Sequence, residues 1–247
     1  MSKKKSNTNT NYFESYSSGG HAKGQILGID FTKNPEQREL VRLMNESFTS
    51  TPIICALGNA GTGKTFTALA AALDLVRIQK KYSKIYYIRE PLEVGKSLGF
   101  MPGDLDEKYG VYLNGLYDNL EEISRFSGIN ANDLKHSIKS IPPQFTRGSS
   151  WTDAIVIVDE AQNLSLDTIQ TIATRIGKYC KLVLLGSMNQ IDIRGKSKNN
   201  NDFATAIEIL ENIDLNIFKK VELIKSERSE YCEVIDKAFS DYKESHM

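Results

Sequence analysis

Gly58-Asn59-Ala60-Gly61-Thr62-Gly63-Lys64-Thr65 fits the pattern G-x-x-x-x-G-K-[ST] at every position. It follows a short apolar run, Ile53–Leu57, and opens a stretch with helical apolar spacing through Phe66, Leu69, Ala70, Leu73 and Val76. Strand, glycine loop and helix in that order make a phosphate cradle. The glycines let backbone N–H groups curl around oxyanions, and the helix start adds the positive end of its dipole. Gly58 to Thr65, with Phe66 behind them, are the candidate nucleotide-binding residues. Lys64 is the candidate for the β and γ phosphates, and the Thr65 hydroxyl for Mg²⁺. The plain alternative is a glycine turn that happens to precede a helix.

A second constellation closes the run Ala154-Ile155-Val156-Ile157-Val158 with Asp159-Glu160. A buried strand ending in two carboxylates suits a metal-bound triphosphate. Asp159 is the candidate metal residue, reaching Mg²⁺ through a water because that ion keeps much of its hydration shell. Glu160 is placed to take a proton from an attacking water. Acidic residues at a strand end also merely cap the next helix. Further along, Leu182–Leu185 runs into Gly186-Ser187-Met188-Asn189-Gln190, and Gln190 is a candidate γ-phosphate sensor or else an ordinary loop amide.

Charge developing on a transferred phosphoryl group calls for an arginine, worth about 10³–10⁵ in rate where one is supplied. Arg228, between the last strand and last helix, is the candidate in the same chain, and Arg175 and Arg194 are candidates supplied from a neighbouring subunit. Each is equally readable as a surface ion pair. Gln37, in Asn34-Pro35-Glu36-Gln37, has an amide that both donates and accepts and so suits an adenine edge; helix capping is the simpler reading. Arg89, Lys96 and Arg147 are candidates for nucleic-acid phosphates, or part of a solvated face. Trp151 offers a stacking surface or core packing.

These residues need a scaffold that brings loops to one edge. Apolar runs at Ile53–Leu57, Lys84–Ile88, Ile155–Val158, Leu182–Leu185 and Phe218–Ile224 alternate with helical patterns at Thr65–Ile78, Leu166–Ile176, Phe203–Leu210 and Tyr231–Tyr242. Continuous runs rather than alternating ones predict strands buried on both faces, hence a doubly wound, mainly parallel α/β sheet with helices on both sides. Ligands in such sheets sit beyond the carboxyl ends of the strands. A long helix is predicted from about Asp104 to Ile123, within a helical insertion over about 92–140. Residues 1–25 read as a polar, disordered tail in which Tyr12, Phe13 and Tyr16 could form a docking motif. Residues 26–247 then form a single domain.

The 247 residues carry 31 Lys+Arg and 31 Asp+Glu, so any grip on a polyanion must come from a local patch. The three widely spaced cysteines, Cys55, Cys180 and Cys232, signal neither a disulfide framework nor a zinc site. No apolar run approaches the roughly 18–20 residues that span a membrane, and the Lys-rich start lacks the apolar stretch of a signal peptide. A cytoplasmic setting, in a bacterium or a phage-infected host cell, is the expectation.

Taken together, Phe31–Glu39 with Gln37, the glycine loop, Arg89-Glu90-Pro91, Gly95 with Leu98-Gly99-Phe100-Met101-Pro102-Gly103-Asp104-Leu105, Arg147-Gly148, Val158-Asp159-Glu160-Ala161-Gln162-Asn163, Thr174-Arg175-Ile176-Gly177 and Gln190-Ile191-Asp192 resemble the PhoH family. The resemblance runs from about Gly24 to the C-terminus and implies a fold similar to the first RecA-like core of helicases. It implies ATP and Mg²⁺ as cofactors, ATP hydrolysis, RNA-related activity, a homo-oligomeric ring expected to be hexameric, and in some relatives a fused or partner nuclease. This chain resembles a short stand-alone version. It departs from the family pattern at Ser187, where Asp is usual, at Ser149, where a basic residue is usual, and at Ser229, where His often stands.

Two functions follow. One is an ATPase coupled to RNA or DNA remodelling, with a neighbouring subunit as its second lobe. The other is an ATP-switched assembly module that recruits a nuclease or other partner and turns over slowly, which Ser187 favours. A small-molecule phosphotransferase fits less well, since Asp-Glu-Ala-Gln is present and no acceptor-binding lid is evident.

Overall fold

The computed structural model describes residues 25–91, 109–188, 201–213 and 215–227, and positions 231, 234, 235, 238 and 242. A small hairpin comes first, β1 (Gln25–Ile26) and β2 (Ile29–Asp30), paired antiparallel. Both residues of its two-residue turn, Leu27 and Gly28, have positive φ, as the twist of a tight hairpin demands. Helix α1 (Pro35–Asn45) starts on Asn34, whose side chain accepts from the N–H groups of Glu36 and Gln37, with proline at the first helical position.

The core is a six-stranded sheet of β3 (Ile53–Gly58), β4 (Lys84–Arg89), β5 (Ile138–Ile141), β6 (Ala154–Asp159), β7 (Cys180–Gly186) and β8 (Phe218–Leu223). Its order is β5-β4-β6-β7-β3-β8, and every neighbouring pair is parallel. Helix α2 (Lys64–Leu73) follows β3, and α3 (Asn114–Ser127) and α4 (Ala131–Lys135) precede β5. Helix α5 (Leu166–Ala173) links β6 to β7, and α6 (Asp202–Glu211) precedes β8.

Alternate residues of each central strand enter separate cores. Ile54, Ala56, Ile155 and Ile157 pack with α1, α2 and α3, while Cys55, Leu57, Val156 and Val158 pack with α5 and α6. Every residue of β6 and β7 is buried. The chain is thus a doubly wound α/β protein of the RecA-like P-loop class.

Several boundaries differ from expectation. The helix after the glycine loop is α-helical to Leu73 and continues as a π-helical turn over Asp74–Ile78. The helix foreseen from Asp104 begins, in its described part, near Tyr109, passes through a 3₁₀ turn at Val111–Leu113 and runs on to Ser127, where Gly128 caps it with φ 68°. The insertion foreseen as helical also supplies β5, an edge strand. Among the described residues no helix is long and apolar enough to cross a membrane.

Candidate nucleotide site

Strand β3 delivers the glycine loop to the carboxyl edge of the sheet, and two contacts explain its glycines. A Cβ on Gly58 would lie 2.3 Å from the Leu223 carbonyl of neighbouring β8. Gly63 has φ +80°, and a Cβ there would lie 2.4 Å from Gln37 Nε2. Buried Gln37 donates that Nε2 to the Thr62 carbonyl at 3.2 Å. It braces the loop from behind, and its amide nitrogen is committed to backbone where an adenine edge had been foreseen. Buried Thr62 ties the loop internally, its hydroxyl donating to the Asn59 carbonyl at 3.0 Å.

The Lys64 ammonium lies across the loop, donating to the carbonyls of Gly58 at 2.7 Å and Asn59 at 2.9 Å. Helix α2 begins on Gly63, which has no side chain to cap it, and no acidic residue lies in its first turn. An anion is therefore the natural complement of this end. Phe66 instead turns toward the core, its ring 6.4 Å from that of Phe31 and 6.3 Å from that of Phe126.

Sheet register brings the second constellation to the first. Residues 155, 157 and 159 share the face of β6 that α2 covers, since side chains alternate along a strand. Asp159 is consequently buried against the start of α2, and Thr65 donates its hydroxyl to Asp159 Oδ1 at 2.9 Å. On the other side β4 pairs with β6 so that Arg89 lies directly opposite Asp159. Arg89 Nη1 reaches Asp159 Oδ2 at 3.0 Å, and Tyr87, two residues back on the same face, donates its hydroxyl to that same oxygen. Burial and the Asp159 carboxylate push the Tyr87 phenol well above its ordinary pKa, which keeps it a donor. Burial opposes the charge on Arg89, but Asp159, Tyr87 and Glu160 together outweigh it and raise the guanidinium above its usual value.

Glu160 follows with φ 53° and ψ 43°, a left-handed conformation that costs a side-chain-bearing residue about 1 kcal/mol or more. The chain turns out of β6 here. Glu160 Oε2 accepts from Gln162 Nε2 at 2.6 Å, and Gln162 Oε1 accepts from the Ser187 N–H at 3.1 Å.

The chain beyond β8 closes the loop's outer side. The Glu227 N–H donates to the Gly61 carbonyl at 2.9 Å. Asn34 Nδ2 donates to Glu227 Oε1 at 2.7 Å, and Glu36 Oε2 accepts from the N–H groups of Ile224 at 2.7 Å and Lys225 at 3.0 Å.

Of the foreseen residues, the glycine loop, Lys64, Thr65, Asp159 and Glu160 come together at one edge. Arg89, foreseen in a loop for nucleic acid, ends β4 and belongs to this cluster. Arg147 is exposed in the turn with Gly148. Arg175 lies elsewhere: its carbonyl accepts from the N–H of Trp151, which precedes β6 at the opposite, amino-terminal edge. Trp151 is buried beside Tyr86 and acts in packing. Gln190, Lys96, Arg194 and Arg228 lie outside the described residues. Tyr87, Gln162 and Glu227 were not foreseen; Gln162 stood in the motif Asp-Glu-Ala-Gln without a role.

The residues present fit a Mg²⁺–nucleotide. A hydroxyl and a carboxylate oxygen 2.9 Å apart are hard donors suited to one small cation, beside an ammonium and an uncapped helix start. Fold and site together define a nucleotide-binding protein of the P-loop NTPase class. The family described as PhoH-like protein matches residues 31–240, and the chain belongs to that family.

Among curated relatives, a PhoH-like protein of Mycobacterium leprae is 28% identical over 93% of this chain, and Protein PhoH2 of Bacillus subtilis is 33% identical over 80% of it. A second Bacillus subtilis relative, a PhoH-like protein, is 34% identical over 78% of the chain. The chain spans 66%, 45% and 58% of those proteins' lengths respectively. Among solved structures, the crystal structure of flagellar accessory protein FlaH from Methanocaldococcus jannaschii aligns over 74% of this chain and 76% of its own, with 13% identity and a TM-score of 0.33, a likeness too slight to bear on the fold.

Proposed function

We propose that the chain binds ATP with Mg²⁺ and hydrolyses it, coupling turnover to the handling of RNA or another single-stranded nucleic acid within a homo-oligomer. The observation that carries the hydrolytic part is the convergence of Lys64, Thr65, Asp159 and Glu160 on the carboxyl edge of β3 and β6. Lys64 supplies an ammonium to the phosphates once it leaves the Gly58 and Asn59 carbonyls. Thr65 and Asp159 together would hold Mg²⁺, which offsets phosphate charge when bound. Tyr87 and Arg89 orient the Asp159 carboxylate. Glu160, the second carboxylate, takes the proton of an attacking water, a role typically worth about 10²–10⁴ in rate.

The nucleic-acid part rests on family membership and on exposed Arg147. A motor built from copies of this domain needs a neighbouring subunit as its moving partner, and that neighbour would provide any arginine contributed from outside. Ser187, standing where Asp is usual in the family pattern, supports a second reading, a slow ATP switch that governs assembly.

Phosphate release measured with and without a panel of RNA and DNA separates the two. Strong stimulation supports the motor, whereas slow, nucleic-acid-indifferent release with ATP-dependent assembly supports the switch. In the same assay Glu160→Gln should retain bound ATP and lose turnover; unchanged turnover would remove Glu160 from the chemistry.

A further inference from the structure

Buried Gln162 makes two hydrogen bonds with opposite ends of one amide, and their partners admit a single orientation. Glu160, when ionised, can only accept, so it takes the Nε2 end at 2.6 Å. The Ser187 N–H can only donate, so it takes the Oε1 end at 3.1 Å. The amide is locked between the proposed base on one strand's exit and the last turn of another strand. Its seat is shaped to match: a Cβ on Gly186 would lie 3.0 Å from Gln162 Oε1 and 2.5 Å from the Phe203 ring.

Three features give this bridge a task. Glu160 has left the strand in a left-handed conformation, so the parallel ladder no longer sets where its carboxylate points. Gln162 sits in the 3₁₀ turn Ala161–Asn163, which is buried throughout and packs on β7 and α6. Ser187 directly follows β7, whose Gly186 pairs with Leu57 at the mouth of the glycine loop. The amide therefore ties the carboxylate to the strand beside the phosphate cradle.

We propose that Gln162 is a positioning residue that sets the Glu160 carboxylate by reference to the end of β7, so that a shift at Gly186–Ser187 is transmitted to the base. This rests on Glu160 acting as the base. A residue that works only through another makes a sharp prediction about mutational coupling.

The experiment compares Gln162→Met, which keeps the shape and loses both bonds, with Gln162→Glu, which keeps an acceptor for Ser187 but opposes Glu160 with a second carboxylate. ATP turnover, nucleotide affinity and melting temperature are measured for each variant, alone and in a Glu160→Gln background. Turnover should fall about 10–100-fold in both single variants, within the range a misplaced base gives, and affinity should stay within about threefold of native. Adding either change to Glu160→Gln should cost less than about twofold more. If Glu160→Gln turns over like the native chain, the assignment of the base fails. If Glu160→Gln is impaired while Gln162→Met and Gln162→Glu are native-like, or if affinity and melting temperature fall in step with turnover in both, Gln162 serves only packing and the proposal is overturned.

Discussion

Thr65 donates its hydroxyl to the Oδ1 oxygen of Asp159 at 2.9 Å, across 94 residues of sequence. The first turn of α2 and the last residue of β6 thus share one small polar contact. Removing either partner should reveal a joint role toward Mg²⁺. Thr65→Val and Asp159→Asn should each weaken nucleotide affinity at least about tenfold in the presence of Mg²⁺, about 1.4 kcal/mol, with much smaller losses in its absence. Calorimetric titration with and without the cation checks this, and equal losses in both conditions would count against a shared metal role.

Lys64 rests on the carbonyls of Gly58 and Asn59. A charge-assisted hydrogen bond to phosphate is worth about 1.5–3 kcal/mol net. Lys64→Met should therefore lower triphosphate affinity by roughly 10–100-fold while leaving the melting temperature of the nucleotide-free protein almost unmoved. The same comparison made with a monophosphate should show a smaller loss.

Gly63 combines φ +80° with the close approach of Gln37 Nε2. Gly63→Ala strains the backbone and displaces the brace at once. Nucleotide binding should fall by at least about tenfold, and melting should fall by the equivalent of about 1–3 kcal/mol. Gln37→Ala in that background opens the space taken by the new Cβ and should recover part of the lost melting temperature, since only the clash is relieved.

Arg89 and Arg147, read together from the sequence, occupy different settings in the fold. Arg89 pairs with an Asp159 side chain that is only 3% exposed. Arg89→Ala should slow ATP turnover at least about tenfold, since an unpaired buried carboxylate is costly, while leaving nucleic-acid binding intact. Arg147→Ala should do the reverse, reducing the salt dependence of RNA binding by about one phosphate contact. Filter binding over a salt series, alongside phosphate release, tests both.

The nucleotide site was legible where its chemistry is local. A glycine loop between strand and helix, and a carboxylate pair ending an apolar run, declare themselves within a few residues. Strands β3, β6 and β7 were legible for the same reason, being continuous apolar runs. Ile138-Lys139-Ser140-Ile141 offers only two apolar residues at a sheet edge, and its identity as β5 comes from pairing with β4. The contacts of Arg89 and Tyr87 with Asp159 were not legible because they depend on how β4 and β6 align, a non-local register that neither strand encodes alone. Gln162 was hidden because its partners come from residues on either side of α5.

A buried lysine offers a test on the opposite side of the fold. Lys181 is fully buried, and its ammonium donates to the carbonyls of Leu43 at 2.9 Å and Glu46 at 2.7 Å, closing the end of α1. Burial lowers its pKa from 10.5 to about 8. Between those values the unfolded chain holds a proton that the folded chain has released, so this group makes stability rise with pH across the window. Lys181→Met should lack that rise. Chemical denaturation of both proteins from about pH 7 to about pH 10 reads it as a difference of slopes, and parallel curves would refute it.

The hydrogen bonds from Glu227 to Gly61, and from Ile224 and Lys225 to Glu36, make the C-terminal part of the chain a drawstring on the nucleotide cradle. Tension applied past β8 is borne by the carbonyl of Gly61 before it reaches any core strand.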